Sequence, residues 1–284
     1  LMTDLFDFQQ RRRNFAVLGN PVAHSKSPQI HEAFARQCGI SLSYEAIALD
    51  PGIFEQGVRN LRAGGIVGAN VTVPFKQAAW HLADELTDRA QVAQAVNTLS
   101  FVADDIIRGD NTDGVGLMRD LQRNLGFSCA QTRVLVIGAG GATRGIFQPL
   151  IDSDPDEIVI ANRTPSKAHE LLAAFDSPRR AAACHLEDLS VSTFDLVINA
   201  TAASLTGEVP KLPDGIFAPD ALAYDLAYAD QPTIFLRWAL DAGAARAVDG
   251  LGMLVEQAAE SFWVWHQHRP QTAPVISTLR SGSH

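Results

Sequence analysis

The stretch VLVIGAGGATRG, residues 134–145, limits what this chain can fold into more than any other. An unbroken apolar run enters a glycine-rich turn, and a helical pattern follows. A buried strand, a glycine turn and a helix in that order open a βαβ unit that binds a dinucleotide phosphate. Gly138 permits the tight turn. Gly140 lets a phosphate approach the backbone, and the free N–H groups of the following helix favour an anion. The third glycine of the fingerprint falls on Thr143, so a purely structural turn in an α/β sheet is the competing reading.

EIVIANRT, residues 157–164, is the next strand of such a unit. When the ligand is NAD, this strand ends in Asp or Glu, whose carboxylate grips the ribose 2′-OH. Asn162 and Arg163 stand there instead. A guanidinium fork suits a 2′-phosphate. Thr164 can cap the next helix and donate its hydroxyl, and Lys167 adds positive charge one turn on. The pattern predicts NADP(H) over NAD(H), with a solvated surface arginine as the alternative.

Short apolar runs alternate with helical patterns along the rest of the chain, as in α/β proteins with a mainly parallel sheet. The first half reads as strands FAVLG, YEAIAL and GANVTV with helices from Ser27 and Pro51, then helices near 75–82 and 87–95 and short strands VNTLSFV and DIIRG. A helix over 114–125 bridges to the glycine unit, whose further strands are FDLVINA and LAYDL with helices near 142–152, 165–175 and 231–242. The expected fold is α/β in two domains: an N-terminal substrate domain with a mainly parallel sheet, residues 1–113 plus 251–284, and a Rossmann-like NADP-binding domain, residues 114–250. The aromatic stripe Phe262, Trp263 and Trp265 on the last long helix is expected to be core.

Of 284 residues 46% are hydrophobic, enough for two ordinary cores, and the net charge of −9 argues against nucleic acid or an anionic membrane as partner. Acidic small substrates stay open, since a basic pocket can sit on an acidic protein. Cys38, Cys129 and Cys184 are scattered, with no CxxC spacing, so neither a disulfide frame nor a metal site is expected and a reduced cytoplasmic setting fits best. No signal-peptide core and no membrane-length apolar run is found. Oligomeric state stays open, a homodimer included.

Three polar stretches sit where strands of the first half give way to loops. In GNPVAHSKSP, residues 19–28, Ser25 and Ser27 beside a helix N-terminus can bind a carboxylate, although an N-cap explains Ser27 as well. In NVTVPFK, residues 70–76, Thr72 faces away from its valine neighbours and Lys76 enters a helix, where a single lysine is ordinarily a solvated charge. In AVNTL and GDNTDG, Asn97 follows an apolar face, and Asp113 either serves chemistry or caps the bridging helix.

GNPVAHSKSP, GANVTVPFK, AVNTL, GDNTDGVG, GAGGATRG, NRT, NAT and DGLGMLVEQAA occur in this order. The ordered set, spanning about 15–275, resembles the shikimate dehydrogenase family. The resemblance implies reversible reduction of 3-dehydroshikimate to shikimate with NADPH, within aromatic amino-acid biosynthesis. It assigns catalysis to Lys76 and Asp113, the substrate carboxylate to Ser25 and Ser27, and further substrate contacts to Thr72, Asn97, Tyr228 and Gln257. Its cofactor positions fall on Gly138, Ala139, Gly140, Gly141 and Ala142, on Asn162, Arg163, Thr164 and Lys167, on Leu226 and Gly250, and on Asp88. One departure stands out: where the family often has NATSxG, this chain reads NATAASLTG, with Ala202 and Ala203. His24 is read as structural. The rival readings are a quinate/shikimate enzyme using NAD, disfavoured by Asn162–Arg163, a catalytically dead sensor of shikimate or NADPH, disfavoured by Lys76 and Asp113, and a non-redox Rossmann binding module.

Overall fold

The computed structural model describes residues 12–103, 105–175, 180–189, 192–201, 203 and 207–282. Two six-stranded sheets organise the chain. The first holds β1 (Arg13–Gly19), β2 (Leu42–Ala48), β3 (Ile66–Val71), β4 (Glu85–Leu86), β5 (Thr98–Phe101) and β6 (Ile107–Asp110), in the order β2-β1-β3-β5-β6-β4. The pairs β1/β2, β1/β3 and β4/β6 are parallel, while β5 runs antiparallel to both β3 and β6. The second holds β7 (Arg133–Ile137), β8 (Glu157–Asn162), β9 (Ala181–His185), β10 (Phe194–Asn199), β11 (Phe217–Asp225) and β12 (Arg246–Asp249), in the order β12-β11-β10-β7-β8-β9. All its pairs are parallel, and the chain-order pattern 3-2-1-4-5-6 is that of a doubly wound dinucleotide fold. Its direction of winding reverses between β7 and β10, where such sheets bind ligands.

The helices are α1 (Ser27–Cys38), α2 (Phe54–Ala63), α3 (Lys76–Leu82), α4 (Asp88–Ala93), α5 (Asp113–Arg119), α6 (Gly141–Asp152), α7 (Pro165–Ala174), α8 (Ile234–Asp241), α9 (Leu251–His266) and α10 (Ala273–Ser281). The expected α/β architecture is present, with β4, β9, β12 and α10 added to the elements read from the sequence.

α9 ties the two sheets together. Leu251, Val255, Ala258, Phe262 and Trp265 join the core over β1 with Phe15, Phe34 and Tyr44, whereas Met253 joins the core of the second sheet with Val134 and Ile146. Gly68 makes room for Trp265, whose Nε1 donates to Leu99 O at 3.1 Å. Trp263 departs from the expected stripe: it is half-buried, with the Arg269 guanidinium 4.5 Å from its ring centre. α5 continues into a π-turn over Asp120–Asn124. There the buried Asp120 carboxylate accepts from Tyr224 on β11 at 2.5 Å and from Asn124 at 2.8 Å, and burial pushes its pKa up. Nearby, buried Glu260 of α9 meets Arg89, Arg119 and Arg269 at 2.8–3.1 Å, joining α4, α5 and α9.

Candidate active site

Lys76 and Asp113 start two different helices, one after β3 and one after β6. Their side chains meet: Lys76 Nζ donates to Asp113 Oδ2 at 2.5 Å, with side-chain exposures of 14% and 5%. A solvated lysine and a capping aspartate would do neither. Thr112 occupies the cap position of α5, and the Asp113 carboxylate turns from the helix toward Lys76 and Asn97. Asn97 Nδ2 donates to Asp113 Oδ1 at 2.8 Å and lies 3.1 Å from Gln257 Oε1 on α9. Gly116 lets α5 and α9 approach, since a Cβ there would meet Gln257 Cβ at 2.6 Å.

The serine pair lies at the start of α1. The helix begins one residue earlier than a Ser27 cap requires: Lys26 holds the cap position, and Ser27 is its buried first residue. Ser25 Oγ accepts the Ser27 N–H at 3.3 Å. Tyr228, from the loop after β11, reaches across: its hydroxyl accepts the Lys26 N–H at 3.5 Å. Burial raises the phenol pKa, opposed by the Lys26 N–H and a hydrogen bond with Ser25. Lys26 Nζ also bonds Asp230 Oδ1 at 3.0 Å, a second link between the same loops. Thr72 is half-buried just past β3, with its N–H on Leu18 O at 2.9 Å. His24 is exposed.

On the second sheet, Gly138 has φ 106°, a conformation that only glycine adopts freely. Thr143, at the third fingerprint position, is fully buried, and its Oγ1 donates to Gly138 O at 2.8 Å, closing the turn with a side chain. Gly140 precedes α6, and a Cβ there would meet nothing within 4 Å. The backbone therefore borders open space at the uncapped N-terminus of a 12-residue helix, which fits a phosphate group. A cleft of about 1110 Å³ opens from this point, bordered by Gly138, Ala139, Gly140, Asn162, Arg163, Thr164 and Lys167, and at its far side by His185, Glu187 and Lys211. Its size accommodates a dinucleotide. The Thr164 hydroxyl does not cap α7, contrary to expectation; Asn162 Nδ2 donates to Thr164 O at 2.8 Å instead.

Gly141 and Ala142 begin α6 beyond the cleft border. A Cβ on Gly141 would lie 3.3 Å from Lys76 Cβ, and one on Gly145 would meet Asp113 Oδ2 at 2.7 Å. The helix that starts at the phosphate turn thus runs directly past the Lys76–Asp113 pair. Leu226 and Gly250 follow β11 and β12 and pack backbone to backbone, as a Cβ on Gly250 would strike Leu226 O. Asp88 is exposed at the start of α4, outside the cleft, although α4 packs on α6. Ala203 lines the cleft, and Ala202 lies outside the described residues. Residues not foreseen from sequence are Lys26, Asp230, His185, Glu187 and Lys211. His185 pairs in register with Asn162 across β8/β9, a placement that recognising β9 would have revealed.

Three family models match the chain. Residues 17–99 match the shikimate dehydrogenase substrate binding domain, 120–206 match shikimate / quinate 5-dehydrogenase, and 250–280 match the shikimate 5′-dehydrogenase C-terminal domain. Over 267 residues the chain is 56% identical to a shikimate dehydrogenase (NADP(+)) of Nitrosospira multiformis, covering 94% of this chain and 97% of that one. The chain belongs to the shikimate dehydrogenase family. The crystal structure of an Ael1 enzyme from Pseudomonas putida superposes with a TM-score of 0.86 at 46% identity, covering 94% of this chain and 98% of that one. Shikimate 5-dehydrogenase from Thermus thermophilus, crystallised with NADP(H) and shikimate, gives a TM-score of 0.82 at 32% identity, covering 95% and 99%. Membership accounts for the substrate-side polar stretches and the glycine turn occurring in one chain.

Proposed function

We propose that this chain catalyses the reversible NADPH-dependent reduction of 3-dehydroshikimate to shikimate. The observation that carries this reading is the Lys76–Asp113 pair set against the helix of the dinucleotide turn, in a chain 56% identical to a shikimate dehydrogenase (NADP(+)). NADPH supplies the hydride when bound.

The chain's own residues manage the proton and the geometry. Lys76 donates a proton to the ketone oxygen as negative charge develops there, and its own charge stabilises that oxygen. In the oxidising direction the neutral amine takes the hydroxyl proton. Asp113 orients the ammonium through Oδ2 and accepts from a ring hydroxyl. Asn97, Gln257 and Thr72 bind the other hydroxyls. Ser25 and Ser27 hold the carboxylate at the start of a 12-residue helix, whose dipole favours an anion, and Tyr228 closes over it. On the cofactor side, Gly138, Ala139, Gly140, Gly141 and Ala142 would hold the pyrophosphate at the start of α6. Arg163, with Thr164, Lys167 and Asn162, would recognise the 2′-phosphate. Leu226 and Gly250 would contribute backbone to the cofactor site, and Asp88 would join it from α4.

The same reading divides the chain into a substrate unit, residues 1–113 with 251–284, and a cofactor unit, residues 114–250. It makes the two small molecules the working partners, with no nucleic acid or membrane. A cytoplasmic setting is supported by the free Cys38, Cys129 and Cys184. Among the described residues no helix is long and apolar enough to cross a membrane.

Reduction of NADP⁺ and of NAD⁺, each with shikimate and with quinate, tests the assignment. Turnover confined to NADP⁺ with shikimate is expected. Comparable turnover with NAD⁺ and quinate would move the chain to dual specificity, and binding of shikimate without turnover would make it a sensor.

A further inference from the structure

Behind Asn97 and Gln257 lie three hydroxyls, those of Thr98, Thr112 and Ser261, each 0% exposed. Thr98 Oγ1 and Ser261 Oγ are 2.8 Å apart, and Thr112 Oγ1 and Ser261 Oγ 3.2 Å. Asn70 Nδ2 reaches Thr98 and Ser261 at 3.1 and 3.0 Å, and its Oδ1 accepts from Tyr44 at 2.7 Å, so the layer is anchored in the core of the first sheet.

Thr112 is the member that touches the site. Its Oγ1 accepts from Asn97 Nδ2 at 2.9 Å and donates to Gln257 Oε1 at 3.3 Å, while its backbone N–H donates to Asn97 Oδ1 at 2.9 Å. Both ends of the Asn97 amide are thereby fixed. Turning that amide over would set its oxygen against Asp113 Oδ1 and its NH₂ against the Thr112 N–H, two mismatches at once. Gln257 is settled similarly: Nε2 donates to Leu254 O at 2.8 Å, which leaves Oε1 facing the hydroxyl. A threonine at a helix cap position ordinarily bonds a backbone N–H of its own helix. Thr112 holds that position on α5 without making the bond.

We propose that Thr112 is a positioning residue: its backbone N–H fixes which way the Asn97 amide faces Asp113, and its hydroxyl, set between Asn97 Nδ2 and Gln257 Oε1, holds the two amides in register toward substrate. This rests on the shikimate dehydrogenase reading. Thr112→Val keeps the shape and the backbone N–H and removes the hydroxyl, so that Asn97 Nδ2 loses one acceptor beside Asp113 and Gln257, and Gln257 Oε1 loses one donor beside Asn97, whereas Thr112→Ser keeps the hydroxyl. Wild-type turnover with NADP⁺ and shikimate comes first; its absence would overturn the underlying reading rather than the role of Thr112. Given that turnover, the valine variant is expected to lose roughly ten- to a hundredfold in kcat/KM for shikimate. Its KM for NADP⁺ should stay within about twofold, and the serine variant should fall within about threefold of wild type in kcat/KM. The proposal is overturned by a valine variant with wild-type kcat/KM, by a serine variant as impaired as valine, or by a KM for NADP⁺ that rises in step with that for shikimate. Should the valine variant not fold, Thr112→Ala replaces it against Thr112→Ser under the same criteria.

Discussion

On the substrate side, Asn97, Thr112, Asp113 and Gln257 are each 8% exposed or less and bonded to one another; on the cofactor side, Arg163, Thr164 and Lys167 stand exposed around a cleft of about 1110 Å³. The first region is a closed lattice in which each polar atom is held by the next. The second is an open cleft in which the glycine turn at one end faces polar and charged side chains around the border. Rigid, pre-bonded groups suit a step that places one proton at one oxygen. Exposed cations suit recognition of a phosphate that arrives and leaves with each turnover. Damage should therefore appear as lost turnover on one side and as lost cofactor choice on the other.

The strongest way to break this contrast is at Lys76. Lys76→Ala is expected to lower kcat by roughly 10²- to 10⁴-fold, with a much smaller change in the KM for shikimate. Steady-state kinetics decides, and near-wild-type turnover would remove Lys76 from the chemistry. Next in size is an effect on the fold beneath the substrate side. His31 is 0% exposed, stacked on Tyr44 at 4.3 Å, and its pKa is lowered to about 3 by burial and by His266. Its unfolded value is 6.5, so below that pH the unfolded chain binds a proton that the folded chain refuses. Stability is thus complete above pH 6.5 and falls on acidification toward about 3, by up to ~1.4 kcal/mol per pH unit. His266, lowered to about 4 by burial and by Arg13, acts in the same direction. Urea midpoints across this range should fall less steeply in His31→Phe; equal slopes would contradict the assignment.

A smaller effect is expected on the cofactor side. Arg163→Ala should raise the KM for NADPH about tenfold while leaving that for NADH nearly unchanged, since one charged hydrogen-bonding partner of the phosphate is lost. An equal rise for both cofactors would assign Arg163 to general architecture. The smallest belongs to the Lys26–Asp230 pair, whose aspartate side chain is 67% exposed. Asp230→Asn should change the KM for shikimate by no more than about fivefold, and less at high salt, because exposed pairs contribute little. A large, salt-insensitive change would mean that this pair, too, belongs to the closed lattice.

Elements with strong periodicity were legible in the sequence: VLVI, IVIA and DLVIN are apolar because both faces of a parallel strand are covered. AAACH of β9 and RAVD of β12 were not, since alanine is a weak strand former and both are edge strands, half open to solvent. At the candidate site, composition and spacing placed the glycine turn, while the lysine and the polar stretches gained meaning only as an ordered set. Capping was where local rules misled. Ser27, Asp113 and Thr164 each read as a helix cap, yet Ser27 and Asp113 stand one residue inside their helices, and Thr164 holds the cap position of α7 without bonding it. For Asp113 the competing partner is visible, Lys76 brought in from a distant helix. A local rule cannot see a partner supplied by tertiary structure.

The return of α9 to the first sheet has a consequence for how the protein is made. Every strand of that sheet has been synthesised by Asp110, yet Gln257 and Ser261 lie beyond all of the second sheet. At roughly 5–20 residues per second, a ribosome leaves this gap open for on the order of ten seconds. During that interval the face of Phe15, Phe34 and Tyr44 that α9 later covers is bare. The helix that completes the pocket is thus also the one that covers this apolar face, so both wait on the same late segment of the chain.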